Sequence, residues 1–398
     1  MNIAVAQSGG PTCAINASLL GIIREAEENP KINKIFGAFN GIDGVLTDQF
    51  VDLGRAVNTK LDFDLLRQTP SSALGSCRHK LPDFEVDEEP YRLIFEVFER
   101  HQIDAFFYIG GNDSMDTVDK LSRYSAKTGS KLRVIGVPKT IDNDLFLTDH
   151  TPGFGSAAKY VATVMNEIIR DTDVYDMPSV MIVEIMGRHA GWLAASTCLL
   201  RVNGEMAPQL IYLPERPFDA AAFCEDVRAE LKKNKTVVVA VSEGIRYEAV
   251  SSVTRPDGFG HVALGGVGKQ LENLIKAQIG CKVRSVELNV LQRCGSHIAS
   301  RTDLFEAEMV GRVAVREMMA GATGAMIAIN RLSDAPYKIS MEAIDVRKIA
   351  NKERPFPLKW INEQNNNVTD EAIAYFLPLI QGEPQIITEN GIPVHFKF

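Results

Sequence analysis

The chain has 398 residues, 45% of them hydrophobic and 24% charged, with a formal net charge of -8. That is the composition of a large globular protein, long enough for two domains. The negative balance makes nucleic acid and anionic membrane poor partners, and no apolar run is long enough to span a bilayer.

The start, Met1-Asn2-Ile3-Ala4-Val5, lacks the basic segment and cleavage pattern of a signal peptide. Six scattered cysteines with no CxxC pair read as free thiols, so a cytoplasmic protein is expected. A strand at residues 3–6 runs into Gln7-Ser8-Gly9-Gly10-Pro11-Thr12, and an amphipathic helix follows at 14–26. A helix at 91–100 precedes a strand at 105–109. That strand ends in Gly110-Gly111-Asn112-Asp113-Ser114, with a helix from about Met115. The strand at 132–137 ends in Pro138-Lys139-Thr140-Ile141-Asp142-Asn143-Asp144. Helices at 156–171, 220–233 and 305–319 then alternate with strands at 180–185, 209–213, 237–241 and 325–329. Short, near-continuously apolar strands separated by helices predict parallel sheets covered on both faces, in two doubly wound units. The run Gly265-Gly266-Val267-Gly268-Lys269-Gln270 mimics a P-loop but lacks its glycine spacing and its Ser/Thr, and it reads as a turn. Beyond about Asp334 the chain reads as a peripheral extension with one helix near 371–377, serving packing or subunit contact rather than chemistry.

Two strands thus end in glycine pairs followed by helices. Such a turn lets the backbone approach a ligand closely, and the helix presents free N–H groups to an anion. In open α/β sheets this is the edge where ligands bind. The loop 138–144 carries a lysine and two aspartates, whose spacing lets Asp142 and Asp144 share a face. Phosphoryl transfer to an alcohol needs a base, cations on the moving group and in-line positioning. Asp142 fits the base and Lys139 the cation, although such a loop would serve equally as an Asx turn with a surface ion pair. Arg188, in Met186-Gly187-Arg188-His189, has the fork that suits phosphate or sugar oxygens. His189 reads as a local hydrogen-bond donor. Glu243 can accept sugar hydroxyls, and Arg284 and Arg293 can supply phosphate-binding cations.

Taken together and in order, several segments resemble the phosphofructokinase family from residue 3 to about 329. They are Gly9-Gly10, Gly75-Ser76-Cys77-Arg78, the Gly110–Ser114 turn, the loop 138–144, Met186-Gly187-Arg188, Ser242-Glu243-Gly244 and Leu291-Gln292-Arg293. The resemblance implies an α/β fold of two similar three-layer, Rossmann-like domains with the site in the cleft between them. Residues 1–154 and 294–340 would bind the phosphoryl donor, 155–293 the sugar phosphate, and 341–398 would form the extension. It implies Asp142 as proton acceptor from the sugar hydroxyl, with Lys139 and Asp113 beside it. Thr140, Ile141, Asp144, Met186, Gly187, Arg188, Glu243, Arg284 and Arg293 would contact substrate, with Gly10 and Arg78 on the donor side. Magnesium is the implied cofactor, and Asn112 stands where the family usually has a metal-binding aspartate. A homodimer or homotetramer without nucleotide regulation is expected.

Two positions separate the family's branches. Asp113 and Lys139 replace glycines of the ATP-using members and resemble the pyrophosphate-dependent branch, which acts on fructose 6-phosphate. A carboxylate at the first position repels the α-phosphate of ATP by about 4 kcal/mol at about 4 Å and an effective dielectric near 20. An ATP-dependent enzyme and a silent regulatory subunit are the alternatives. Asp113 and Lys139 count against the first; intact Lys139, Asp142, Asp144, Met186 and Arg188 count against the second.

Overall fold

The computed structural model describes residues 1–247 and 266–398. Eleven strands build its two main sheets. In chain order they are β1 (Asn2–Gln7), β2 (Lys34–Ala38), β3 (Phe50–Asp52), β4 (Ile103–Gly110), β5 (Arg133–Pro138), β6 (Ser179–Ile185), β7 (Leu210–Tyr212), β8 (Thr236–Ser242), β9 (Lys282–Glu287), β10 (Ala325–Asp334) and β11 (Tyr337–Asp345). The larger sheet has the order β11-β10-β5-β4-β1-β2-β3, and the smaller β7-β8-β6-β9. The interior pairs are parallel; only β3 on β2 and β11 on β10 run antiparallel, at the two edges of the larger sheet. Every residue of β6 and β8 is buried, as expected for strands covered on both faces.

All seven strands expected from the sequence are present. Those that were not foreseen are β2, β3, β9 and β11, and three of them lie at sheet edges. Edge strands keep one side wet, so β9 reads Lys-Val-Arg-Ser-Val-Glu and shows no continuous apolar run. The stretch expected to be a turn is the start of a helix, Val267–Gln278, entered through left-handed Gly266; Gly265 lies outside the described residues. β11 carries the larger sheet past the expected boundary at residue 340, so the extension begins later than its polar composition suggested. No helix among the described residues is long and apolar enough to cross a membrane.

The helix Arg301–Met319 returns from the smaller unit to lie against helix Ile15–Glu27 on the larger sheet. Two glycines allow this crossing. A Cβ on Gly21 would sit 2.0 Å from the carbonyl oxygen of Glu308, and one on Gly311 would sit 2.2 Å from that of Ser18. Ion pairs flank the contact, Arg24 with Glu308 and Arg312 and Arg316 with Glu25. The chain after β11 crosses to the smaller unit. There Phe356 and Trp360 pack on Trp192, with ring centroids 5.1 and 6.3 Å away, and helix Glu371–Phe376 seats Phe376 against Phe154 at 5.8 Å.

The Gly311 contact is backbone against backbone and has no side chain to yield. Gly311→Ala should lower stability by about 1–3 kcal/mol, the usual cost of forced overpacking. Urea unfolding of the variant beside the parent measures this, and an unchanged midpoint would contradict the close crossing.

Candidate active site

The carboxyl ends of β1, β4 and β5 face those of β6 and β8 across a cleft of about 490 Å³. Gly10, Arg78, Asn112, Asp113, Lys139, Thr140, Ile141, Asp142, Asp144, Met186, Arg188, Glu243 and Arg293 all line it. Gly187 lies just behind. Its φ of 140° belongs to glycine, its N–H points to Glu243 Oε1 at 3.4 Å, and its carbonyl accepts the Ser242 hydroxyl at 2.6 Å. Arg284 is the exception. It projects from β9 into a separate depression beside Glu167, Asp171 and Glu272, and within one chain it does not face the cleft.

Lys139 is the most buried of the charged groups here, only 2% exposed. Its Nζ donates to the carbonyl oxygen of Gly10 at 2.6 Å, and its backbone N–H donates to that of Gly110 at 3.0 Å. Burial lowers its pKa to about 8, against the opposing pull of Asp142 and Asp144. Asp142 is raised from the usual carboxylate range, again chiefly by burial, with Lys139 pulling it back. Thr140 fixes its position: the Asp142 N–H donates to Thr140 Oγ1 at 3.1 Å, and that hydroxyl donates to Asp142 Oδ2 at 3.4 Å. Asp144 is pushed up to about 7 by burial, then by the charges of Asp142 and Glu353. Glu243 also rises to about 7, through burial. Arg78 is lowered by burial and by the nearby charges of Arg293 and Arg188. Three guanidiniums and a buried ammonium therefore converge on one space, a setting for a polyanion. Opposite them, Asp142 is hydrogen-bonded by the Thr140 hydroxyl and, like Asp144 and Glu243, raised above the usual carboxylate range by burial, which suits a base.

Asp113 sits in the first turn of helix Asn112–Thr128, 3.8 Å from the ammonium of Lys80. The helix begins at Asn112, earlier than expected, so its first turn borders the cleft. Asn112 is bonded to the chain through both atoms of its amide. Its Nδ2 donates to the Lys352 carbonyl at 2.8 Å, and its Oδ1 accepts the Asn351 N–H at 2.7 Å. One lone pair of the amide oxygen expected to face a cation is thus taken by the chain. Among the described residues no group of three or more His, Cys, Asp or Glu is placed to hold a metal. Asp142 and Asp144 remain, and two carboxylates plus substrate phosphates are the donor set that magnesium usually takes.

The C-terminal extension also lines this cleft, beyond the expected packing or subunit contact. Asn351 and Glu353 line the cleft, and Glu353 pairs with His189 Nδ1 at 2.8 Å across it. Arg354 lies behind the loop 138–144. Its guanidinium donates to the carbonyls of Asn143 at 2.9 Å, Thr148 at 3.0 Å and Asp149, while its N–H donates to that of Asp144 at 2.7 Å. Asn143, left-handed at φ 56°, donates its side-chain amide to the Tyr375 hydroxyl at 2.9 Å. The signal for these residues was the charged pair Glu353-Arg354 ahead of two prolines, an odd composition for a loose tail.

The family model for phosphofructokinase matches residues 2–318. The chain is 42% identical to a pyrophosphate–fructose 6-phosphate 1-phosphotransferase of Halomonas elongata, over 98% of this chain and 94% of that protein. A protein of the same name from Xanthomonas campestris is also 42% identical, over the same shares. The crystal structure of a pyrophosphate-dependent phosphofructokinase from Marinobacter aquaeolei superposes with a TM-score of 0.89 at 36% identity, covering 100% of this chain and 95% of that one. With its two sheets, its cleft and these matches over nearly the whole length, the chain belongs to the phosphofructokinase family.

Proposed function

We propose that the chain catalyses the reversible transfer of a phosphoryl group from pyrophosphate to the 1-hydroxyl of fructose 6-phosphate, yielding fructose 1,6-bisphosphate and phosphate. The observation that carries this reading is Lys139, buried in the cleft against the Gly9-Gly10 turn with Asp113 beyond it. An ammonium there occupies the space that glycine leaves open for a nucleotide, and it neutralises charge on the moving phosphoryl group. The names of the relatives support the same donor and acceptor.

Asp142 takes the proton of the 1-hydroxyl as its oxygen bonds to phosphorus, and the bridging P–O bond breaks with its electrons leaving on phosphate. Lys139 and Arg78 hold the donor's charge, while Arg188, Arg293, Met186 and Glu243 orient the sugar phosphate. The larger sheet's unit would serve the donor and the smaller one the sugar. Magnesium, held by pyrophosphate oxygens with Asp144 and Asp142, would supply further charge neutralisation. Arg284, turned from its own cleft, would reach a sugar phosphate only in a neighbouring copy, which favours a homodimer or homotetramer. A glycolytic enzyme of the cytoplasm without nucleotide regulation fits this reaction.

The purified protein with magnesium should form fructose 1,6-bisphosphate from pyrophosphate and not from ATP. Turnover with ATP instead would refute the assigned donor. Asp142→Ser should lower kcat at least about a hundredfold, the lower range for losing a general base; a fall of less than about tenfold removes it from that role.

The pH profile of kcat/KM should be a bell. Asp142 acts only as the anion, and its raised pKa brings its acid limb up from the ordinary carboxylate range. Lys139 must be charged, and with its pKa lowered to about 8 the cation is lost as pH rises through that value. Bound pyrophosphate favours the ammonium, so the alkaline limb of kcat should lie above that of kcat/KM. Coincident alkaline limbs would exclude Lys139 as their source.

A further inference from the structure

On the reading that pyrophosphate is the donor, we infer that the turn Asn351-Lys352-Glu353 is a second donor-selecting element, a stop at the far end of the donor site that excludes a nucleoside. In-line transfer requires the leaving portion of the donor to point away from the attacking hydroxyl at Asp142. Past the glycine turns, that direction leads to the amino end of helix Asn112–Thr128, where phosphates find free N–H groups. The turn 351–353 covers this end.

It is clamped there at two levels. Asn112 in the first helical turn holds the Lys352 carbonyl and the Asn351 N–H, at 2.8 and 2.7 Å. Asp116, one turn on, accepts Asn351 Nδ2 at 2.9 Å and is itself fixed by Lys120 at 2.6 Å. Asn351 is left-handed, at φ 60°, a conformation that asparagine adopts more readily than most residues. Glu353 is tied at its backbone to Leu145 by a β-bridge and at its side chain to His189. The turn therefore joins the donor helix, the catalytic loop and the opposite wall of the cleft, and it adds a carboxylate to the cleft lining.

Asp113 does not do this work alone. Lys80, 3.8 Å away, offsets part of the charge with which Asp113 would repel ATP. A terminal phosphate ends before the turn; a nucleoside attached to it has to pass through it. Asn112 in this arrangement is a positioning residue for the turn.

Equilibrium binding of MgATP and of magnesium tripolyphosphate is to be measured by calorimetry on the full chain. The variants are Asp113→Gly, Asn112→Ala, Asn351→Ala and their combinations, with pyrophosphate turnover of the wild type recorded alongside. Each asparagine is tested separately, so misfolding of one variant leaves the other. In the Asp113→Gly background, loosening the turn should tighten MgATP by about tenfold or more, while tripolyphosphate, which lacks the nucleoside, gains less than about threefold. Full gain from Asp113→Gly alone, or equal gains for the two ligands, overturns the inference. Wild type that fails to use pyrophosphate defeats the donor assignment itself, a separate and distinguishable result.

Discussion

An ammonium with almost no access to water organises this protein. Moving such a charge out of solvent costs several kcal/mol unless protein groups replace its hydration. For Lys139 the replacements are the Gly10 carbonyl and the carboxylates of the same loop. That requirement draws the ends of β1, β4 and β5 together. The backbone of Lys139 is tied to Gly110, and its side chain reaches the turn after β1. Gly9, with a φ of 75°, leaves room for it; a Cβ there would stand 3.2 Å from the ammonium. The glycine pairs follow from the lysine as much as from any phosphate they receive.

The second constraint is the backbone of the loop that carries Asp142 and Asp144. Between residues 143 and 149 it forms no regular ladder, and its carbonyls would be costly to bury unpaired. Arg354 and Tyr375 meet that need from more than 200 residues away in sequence. Replacing Arg354 by lysine would lose the planar fork that spans several carbonyls at once. The acidic side chains are thereby held by a scaffold that includes a cation, and the Arg354 charge also draws the Asp144 pKa down against burial.

The central strands and the turns they end in were readable because buried parallel strands are uniformly apolar and their glycine-rich ends break that pattern. The loop 138–144 stood out for the same reason, as a charged run at a strand end. Edge strands such as β9 and β11 were hidden by their half-wet faces. The contributions of Asn351, Glu353, Arg354 and Tyr375 were invisible because nothing in local sequence records a contact across the fold. Asn112 was read by its position in a motif, and its neighbours in space give it a different partner. Arg284 was grouped with Arg293 by closeness in the chain, yet strand geometry turns it to another face.

The chain has two tryptophans, and both sit where the C-terminal segment docks. Trp192 belongs to the body of the smaller unit, stacked under the Arg354 guanidinium at 4.4 Å and bonded through its indole N–H to the Arg354 carbonyl. Trp360 belongs to the segment itself. Exposure of both indoles to water would accompany any detachment of that segment, so the intrinsic fluorescence of the unlabelled protein is a built-in optical reporter of whether the loop 138–144 has its support.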